Sequence, residues 1–200
     1  MLNKGYLSRE ELLRCGFASV GDDVLVHPSC VLVGCERMTL GSHVRIDPYC
    51  IVTIGSRLEI GSYVHISGHA AIVGAGAITI GDFAAVSHGA RIFSSSDDFT
   101  AGGIFGPQVP MAYRSVTSAP VVIGRHAVVG ANSVVLPGGC IGEGAAIGAV
   151  SLVKGAVSPW TVHAGVPTRP LAPRDREAVL AQERAFLAGR LTGMPSPTDP

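Results

Sequence analysis

The sequence predicts an all-β solenoid, a parallel β-helix built from three-sided coils, on two periodicities and one break. From Ile123 to Val153 an aliphatic residue recurs every sixth position, at Ile123, Val129, Val135, Ile141, Ile147 and Val153. A small residue stands two before each later one: Ala127, Ser133, Gly139, Ala145 and Ser151. Neither the 3.6-residue helical period nor the alternation of a lone strand gives six. A short strand plus a turn does, with one aliphatic and one small side chain inward. The second periodicity is a spacing of 20 that aligns Leu40, Ile60 and Ile80, Gly41, Gly61 and Gly81, and Ile46, Ile66 and Val86. Three hexapeptides and two extra residues then make one turn of a coil, and such units bury their apolar side only by stacking. The break falls at Asp98, in column with Leu58 and Ile78. A carboxylate in the dry inner row costs several kcal/mol, so the chain leaves the coil there.

Composition narrows the function. Fifteen acidic and fifteen basic side chains balance, which argues against nucleic acid as a partner. No apolar run reaches the ~18 residues of a membrane span, and the start MLNKGYLSREELL carries no signal-peptide pattern. Five cysteines without a CxxC pair read as core filler in a reducing cytoplasm, Cys30, Cys50 and Cys140 lying at or beside the small inward position.

In chain order, residues 1–19 form an N-terminal helical cap. Ser8 with Glu11 makes a capping box, Gly16 is the stop, and Leu12 and Leu13 are expected over the open end of the first coil. Residues 20–171 form the solenoid, with strands of successive coils about 4.8 Å apart. About four coils precede Asp98 and two follow Ile123. The extra pair at Thr39, Glu59 and Thr79 is expected to bulge one corner. Residues 97–121 are a Gly- and Pro-rich excursion without the repeat; a long loop inside a compact domain tends to be functional. Residues 172–200 hold a terminal helix over 174–191, with Val179, Leu180, Glu183, Phe186 and Leu187 on one side, and a disordered tail at 192–200.

The hexapeptide run, the excursion and the ending HAGVPTRPL together resemble the left-handed β-helix acyltransferases of the maltose and galactoside acetyltransferase superfamily. The SSSDDF stretch is similar to acyltransferases that modify amino or hydroxyl groups of surface-polysaccharide sugars. The resemblance covers roughly residues 20–171. It implies a left-handed coil, where the general crossover rule gives a right hand. It also implies a homotrimer with active sites between subunits, and CoA along the late coils. The activity implied is transfer of an acetyl or similar acyl group from acyl-CoA to the amino group of a nucleotide-linked sugar in cell-surface polysaccharide synthesis. Transfer to a sugar hydroxyl is the alternative. A zinc enzyme resembling γ-class carbonic anhydrases, using His65, His69 and His88, and a non-catalytic β-helix are weaker readings; no metal is expected.

Acyl transfer from a thioester needs a path for the acceptor's proton, donors for the oxyanion and a cradle for CoA. In the sugar acetyltransferases the catalytic His lies where the loop leaves the coil. The matching position here is Asp97, beside Asp98. An ordinary Asp, with a pKa of about 4, is a poor base at neutral pH. His69 stands where the galactoside enzymes carry an acceptor-contacting Asn, so a His69–Asp97 pairing is the candidate catalytic unit, with Ser87 as a hydrogen-bond donor and His88 as an alternative. His65 should face outward as a subunit contact, and His27, His43, His126 and His163 read as surface residues. Arg45 and Asp47 are expected to pair. An amine acceptor needs less base than a hydroxyl, which favours the amino sugar. For CoA the candidates are Gly130, Ala131, Asn132 and Ala149, whose small size admits a pantetheine arm, and a cluster of Lys154, Arg169 and Arg174 for its phosphates. Trp160 is expected either to stack on adenine or to cap the core.

Overall fold

The computed structural model describes residues 5–191; the tail expected at 192–200 lies outside the described residues. Three sheets of short parallel strands form the faces of a triangular coil. Face 1 holds seven strands, from Ser19–Val20 through Leu58–Ile60 and Val121–Ile123 to Ala156–Val157. Face 2 runs from Leu25–Val26 to Thr161–Ala164 and is closed by an antiparallel strand, Arg169–Pro173. Face 3 holds six, from Val31–Val33 to Leu152–Val153. The sequence spacing of 20 is the pairing register, with Ile46 opposite Ile66 and Ile66 opposite Val86.

The inward positions follow the hexapeptide pattern. Ile123, Val129, Val135, Ile141 and Val153 are fully buried, and Ala127, Ser133 and Ala145 lie beside them. A buried hydroxyl must find partners: Ser133 Oγ donates to the Gly148 carbonyl at 2.9 Å and accepts from the Ser151 N–H at 3.1 Å. The extra pair of the early coils does not bulge a corner. Thr39, Glu59 and Thr79 sit mid-strand in register, flanked by buried Met38 and Leu40, Leu58 and Ile60, and Ile78 and Ile80. Glu59 and Thr79 align through Val122 with Cys140 of the shorter late coil. The two additional residues lie instead on face 3, where Ile51–Ile54 and Ala71–Gly74 outrun Val134–Val135 and Ile54 is buried. Cys140, expected beside the core, is exposed, whereas Cys50 is buried and Cys30 half-buried.

The chain leaves the coil after Phe93, forms a two-stranded hairpin of Ser95–Asp97 with Val116–Ser118, and returns at Val121. Val121 pairs with Ile78, so the coil closes as though the excursion were absent. At the open end, α1 (Arg9–Arg14) has the full Ser8–Glu11 capping box. Leu12 is buried and Leu13 points to solvent, because one helical turn turns one of two adjacent residues inward.

The first corner, between faces 1 and 2, carries His43, Tyr63, Phe83, His126 and Trp160, all at positive φ. Left-handed backbone is unfavourable for residues with a Cβ. Each is held because its N–H donates to the corner of the preceding coil: Tyr63 to the Ser42 carbonyl, Phe83 to Ser62 and His126 to Asp82, each at 2.9 Å. The rings consequently stack, at 4.6 Å for His43–Tyr63 and 4.8 Å for Tyr63–Phe83. The C-terminal helix α2 (Arg176–Leu191) runs back along this ladder, with Arg176 over Trp160 and Arg190 beside His43. Its Glu183 meets His126 at 2.9 Å and also pairs with Arg125. His126, expected on the surface, is therefore buried; His27, beside Tyr6, and His163, in the strand paired with Arg169–Pro173, were also expected on the surface and are also buried.

Candidate active site

The second corner, between faces 2 and 3, stacks the acceptor candidates beneath the CoA candidates. His69 lies on the Tyr49 ring with centroids 5.1 Å apart and meets His88 at the same distance. Ser87, next to His88, is half-buried at the end of face 2, and its N–H donates to Val129. One coil on, the Asn132 N–H donates to the His88 carbonyl at 3.0 Å, and the Val150 N–H to Ala131 at 2.8 Å. Ser87, His69, His88, Ala131, Asn132 and Ala149 thus share one edge of the solenoid, with His69, His88, Asn132 and Ala149 exposed. Gly130 lies on the same coil, and its small size has a cause within the fold. A Cβ there would fall 2.4 Å from the Ile147 carbonyl, so coil stacking alone demands glycine.

Asp97 lies at the third corner, between faces 3 and 1. Its carboxylate is paired with Arg114 at 2.9 Å, both side chains mostly buried. Asp98 accepts from the Thr100 N–H and hydroxyl, each at 2.8 Å, and these bonds hold its carboxyl below the usual carboxylate range. A cleft of about 410 Å³ opens here, lined by Asp97, Asp98, Phe99, Thr117, Pro137 and Lys154. A larger cleft of about 480 Å³ between α2 and the aromatic ladder is apolar and far from these groups.

Within one chain His69 and Asp97 stand at opposite ends of the face 3 strands, Ala71–Gly74 and Arg91–Phe93 running between the two corners. At about 3.3 Å per residue, such strands keep the two side chains apart. The basic residues do not cluster either. Lys154 is in the third-corner cleft, and Arg169 is at the face 2 strand, opposite Ala164. Arg174 is spent at the first corner, donating to the His126 and Gly144 carbonyls at 2.7 and 2.9 Å. Trp160 ends the aromatic ladder under Arg176.

Arg114 was not legible in the sequence, because only the hairpin, which pairs Asp97 with Val116, brings the side chain of Arg114 back to Asp97. A second unforeseen group sits on face 2. Asp47 pairs with Arg45, as expected, and also accepts from Tyr6 at 2.9 Å and meets His65 Nε2 at 2.7 Å. Burial pushes the Asp47 carboxyl up, but the bonds from His65, Arg45 and Tyr6 outweigh it and hold the carboxyl below its ordinary range. His65, His69 and His88 form no joint metal site; among the described residues no group of three or more His, Cys, Asp or Glu is placed to hold a metal ion.

A parallel solenoid interrupted by one excursion, with polar groups on the corners either side of face 3, defines a hexapeptide-repeat transferase fold. No family model matches the sequence. AntD, an N-acyltransferase from Bacillus cereus solved with dTDP and 3-hydroxybutyryl-CoA, superimposes with a TM-score of 0.89 at 35% identity. The match covers 94% of this chain and 99% of that one. Further structures of that enzyme carry replacements of a serine, or of an aspartate ten positions later, and two of the serine variants include dTDP-4-amino-4,6-dideoxyglucose with coenzyme A. The dTDP-4-amino-4,6-dideoxy-D-glucose acyltransferase of Escherichia coli is 38% identical over 95 residues, 48% of this chain. That alignment spans 49% of the E. coli enzyme, about half its length. The chain belongs to the left-handed β-helix hexapeptide-repeat acyltransferases, in the branch related to nucleotide-sugar N-acyltransferases.

Proposed function

We propose that this protein transfers an acyl group from acyl-CoA to the amino group of a dTDP-linked 4-amino-4,6-dideoxy sugar, in surface-polysaccharide synthesis. The observation that carries the reading is the match to AntD over nearly the whole of both chains. A second supports it: Ser87 and Asp97 are the one serine–aspartate pair in this sequence separated by ten positions, the spacing of the residues replaced in AntD.

In this reading the neutral amine attacks the thioester carbonyl, the C–N bond forms, and the C–S bond breaks as the tetrahedral intermediate collapses. The Ser87 hydroxyl donates to the oxyanion. Asp97, held by Arg114, orients the amine rather than deprotonating it. The proton released on amide formation passes to the departing CoA thiolate, which is the stronger base. His69 and Tyr49 offer a flat, exposed surface beside Ser87 for the acceptor. Ala131, Asn132 and Ala149 border the pantetheine path, and Lys154 is the candidate for phosphate. Two corners at opposite ends of face 3 make one site when the second corner of one chain meets the third corner of another, the homotrimer this family forms. A cytoplasmic location suits both co-substrates.

The test is thiol release from acetyl-CoA with the dTDP-amino sugar and with its 4-hydroxy counterpart, alongside CoA binding by calorimetry. Turnover with the amine alone is expected. Turnover with the hydroxyl alone would replace N- by O-transfer, and absence of CoA binding would remove the acyltransferase reading altogether. Co-assembly of Ser87→Ala chains with Asp97→Asn chains should restore activity that neither variant has alone; no recovery would place both residues in one chain's site.

A further inference from the structure

Four of the five cysteines gather at the N-terminal end of the solenoid. Cys15 caps α1. With Cys30 and Cys35 it lines an open pocket of about 310 Å³, together with Leu7, Val26 and His27. Cys50 lies directly beyond, buried in the core. None of these thiols has a part in the transfer reaction.

Cys30 and Cys50 occupy the same place in successive coils. Val31 pairs with Ile51, and the Val31 N–H donates to the Cys50 carbonyl at 2.9 Å. Adjacent strands lie about 4.8 Å apart, inside the ~4.4–6.8 Å range of Cα separations that a disulfide spans. The two side chains leave the backbone in parallel, the Cys30 thiol 3.1 Å from the Asp47 carbonyl and the Cys50 thiol 3.2 Å from that of Ser67. The pair is asymmetric. Cys30 borders the pocket, while Cys50 is sealed.

We propose that Cys30 and Cys50 form an oxidisable dithiol site for a small peroxide, with Cys30 the sulfur attacked first and Cys50 the resolving thiol. The Cys30 thiolate attacks one oxygen of hydrogen peroxide; an S–O bond forms, the O–O bond breaks, and hydroxide leaves as water on taking a proton. Cys50 sulfur then attacks Cys30 sulfur; the S–S bond forms, the S–O bond breaks, and a second water leaves. Two thiols and one peroxide give one disulfide and two waters. The electrostatics agree in direction. Contact with the Cys50 thiol holds Cys30 below its ordinary value against the effect of burial, whereas that contact and burial push Cys50 up. A thiolate at Cys30 with a protonated neighbour is the order the two steps require. The product bolts the first coil to the second beneath α1.

The full chain would be titrated with hydrogen peroxide, its remaining thiols blocked under denaturing conditions, and the protein cut with trypsin. Trypsin leaves Cys15, Cys30 and Cys35 in residues 15–37 and Cys50 in residues 46–57. A cross-link between these peptides, two hydrogens lighter and assigned to Cys30 by fragmentation, is expected, together with a rise in Tm that reverses on reduction. The link should persist in a Cys15→Ser/Cys35→Ser double variant and vanish in Cys30→Ala and in Cys50→Ala. Oxidation of the exposed Cys140 while Cys30 and Cys50 stay free would overturn the proposal, as would a Cys15–Cys35 link in place of the expected one.

Discussion

Replacing Arg114 with alanine isolates the means by which the excursion presents Asp97. The guanidinium meets the Asp97 carboxylate at 2.9 Å, and the two side chains are 16% and 22% exposed. Hydrogen bonds to charged groups contribute about 1.5–3 kcal/mol. Partial wetting keeps this pair below the ~3–5 kcal/mol of breaking a fully buried one. The loss corresponds to roughly a 10- to 150-fold fall in the population of the productive hairpin. Turnover of the amino sugar should therefore fall by up to that factor, while the CoA dissociation constant stays unchanged. Arg114→Lys should recover part of the activity, and hydrogen exchange at residues 95–118 should quicken in the alanine variant. Unchanged turnover in a variant whose hairpin amides exchange faster would refute the reasoning, since the position of Asp97 would then not matter.

Three further outcomes are expected. Ile78→Ala removes a fully buried side chain between Leu58 and Val121, at about 2–5 kcal/mol, so Tm should drop by roughly 4–20 °C in a calorimetric scan. Gly144→Ala adds a Cβ at positive φ, 2.3 Å from the Trp160 ring; it should lower Tm and shift the emission of the chain's one tryptophan. The depressed Asp47 carboxyl contributes stability in full above its unfolded pKa of about 3.9, and that contribution is lost as pH falls through the lower folded value. Acid unfolding followed by circular dichroism below about pH 4 should accordingly show a shallower pH dependence in Asp47→Asn.

The coil was legible because its physics is local and repeated. Every inward position must be apolar or small, so the six-residue spacing of Val129, Val135 and Ile141 and the 20-residue spacing of Ile46, Ile66 and Val86 specify strands, register and core together. The capping box of α1 was equally local. What escaped the sequence was set by contacts between distant segments. Thr39 and Glu59 were placed at a corner because the repeat fixes the count of extra residues and not which face absorbs them. His126 looked like a surface residue because the helix that covers it lies 57 positions away. Arg174 looked available for phosphate because nothing local shows that the strand before it doubles back over face 2. In the site, the shared edge of Ser87, His69 and Asn132 follows from the register, whereas the Arg114 partner of Asp97 depends on a hairpin with no repeat behind it.

The most direct test of the central claim is to incubate the protein with carbonyl-labelled acetyl-CoA and dTDP-4-amino-4,6-dideoxyglucose and follow the label by NMR. The account predicts that the label leaves the thioester and appears as an amide on the sugar nitrogen, with one free CoA thiol per amide. Label in an ester on a ring hydroxyl, or label retained on CoA while both substrates are bound, would contradict it.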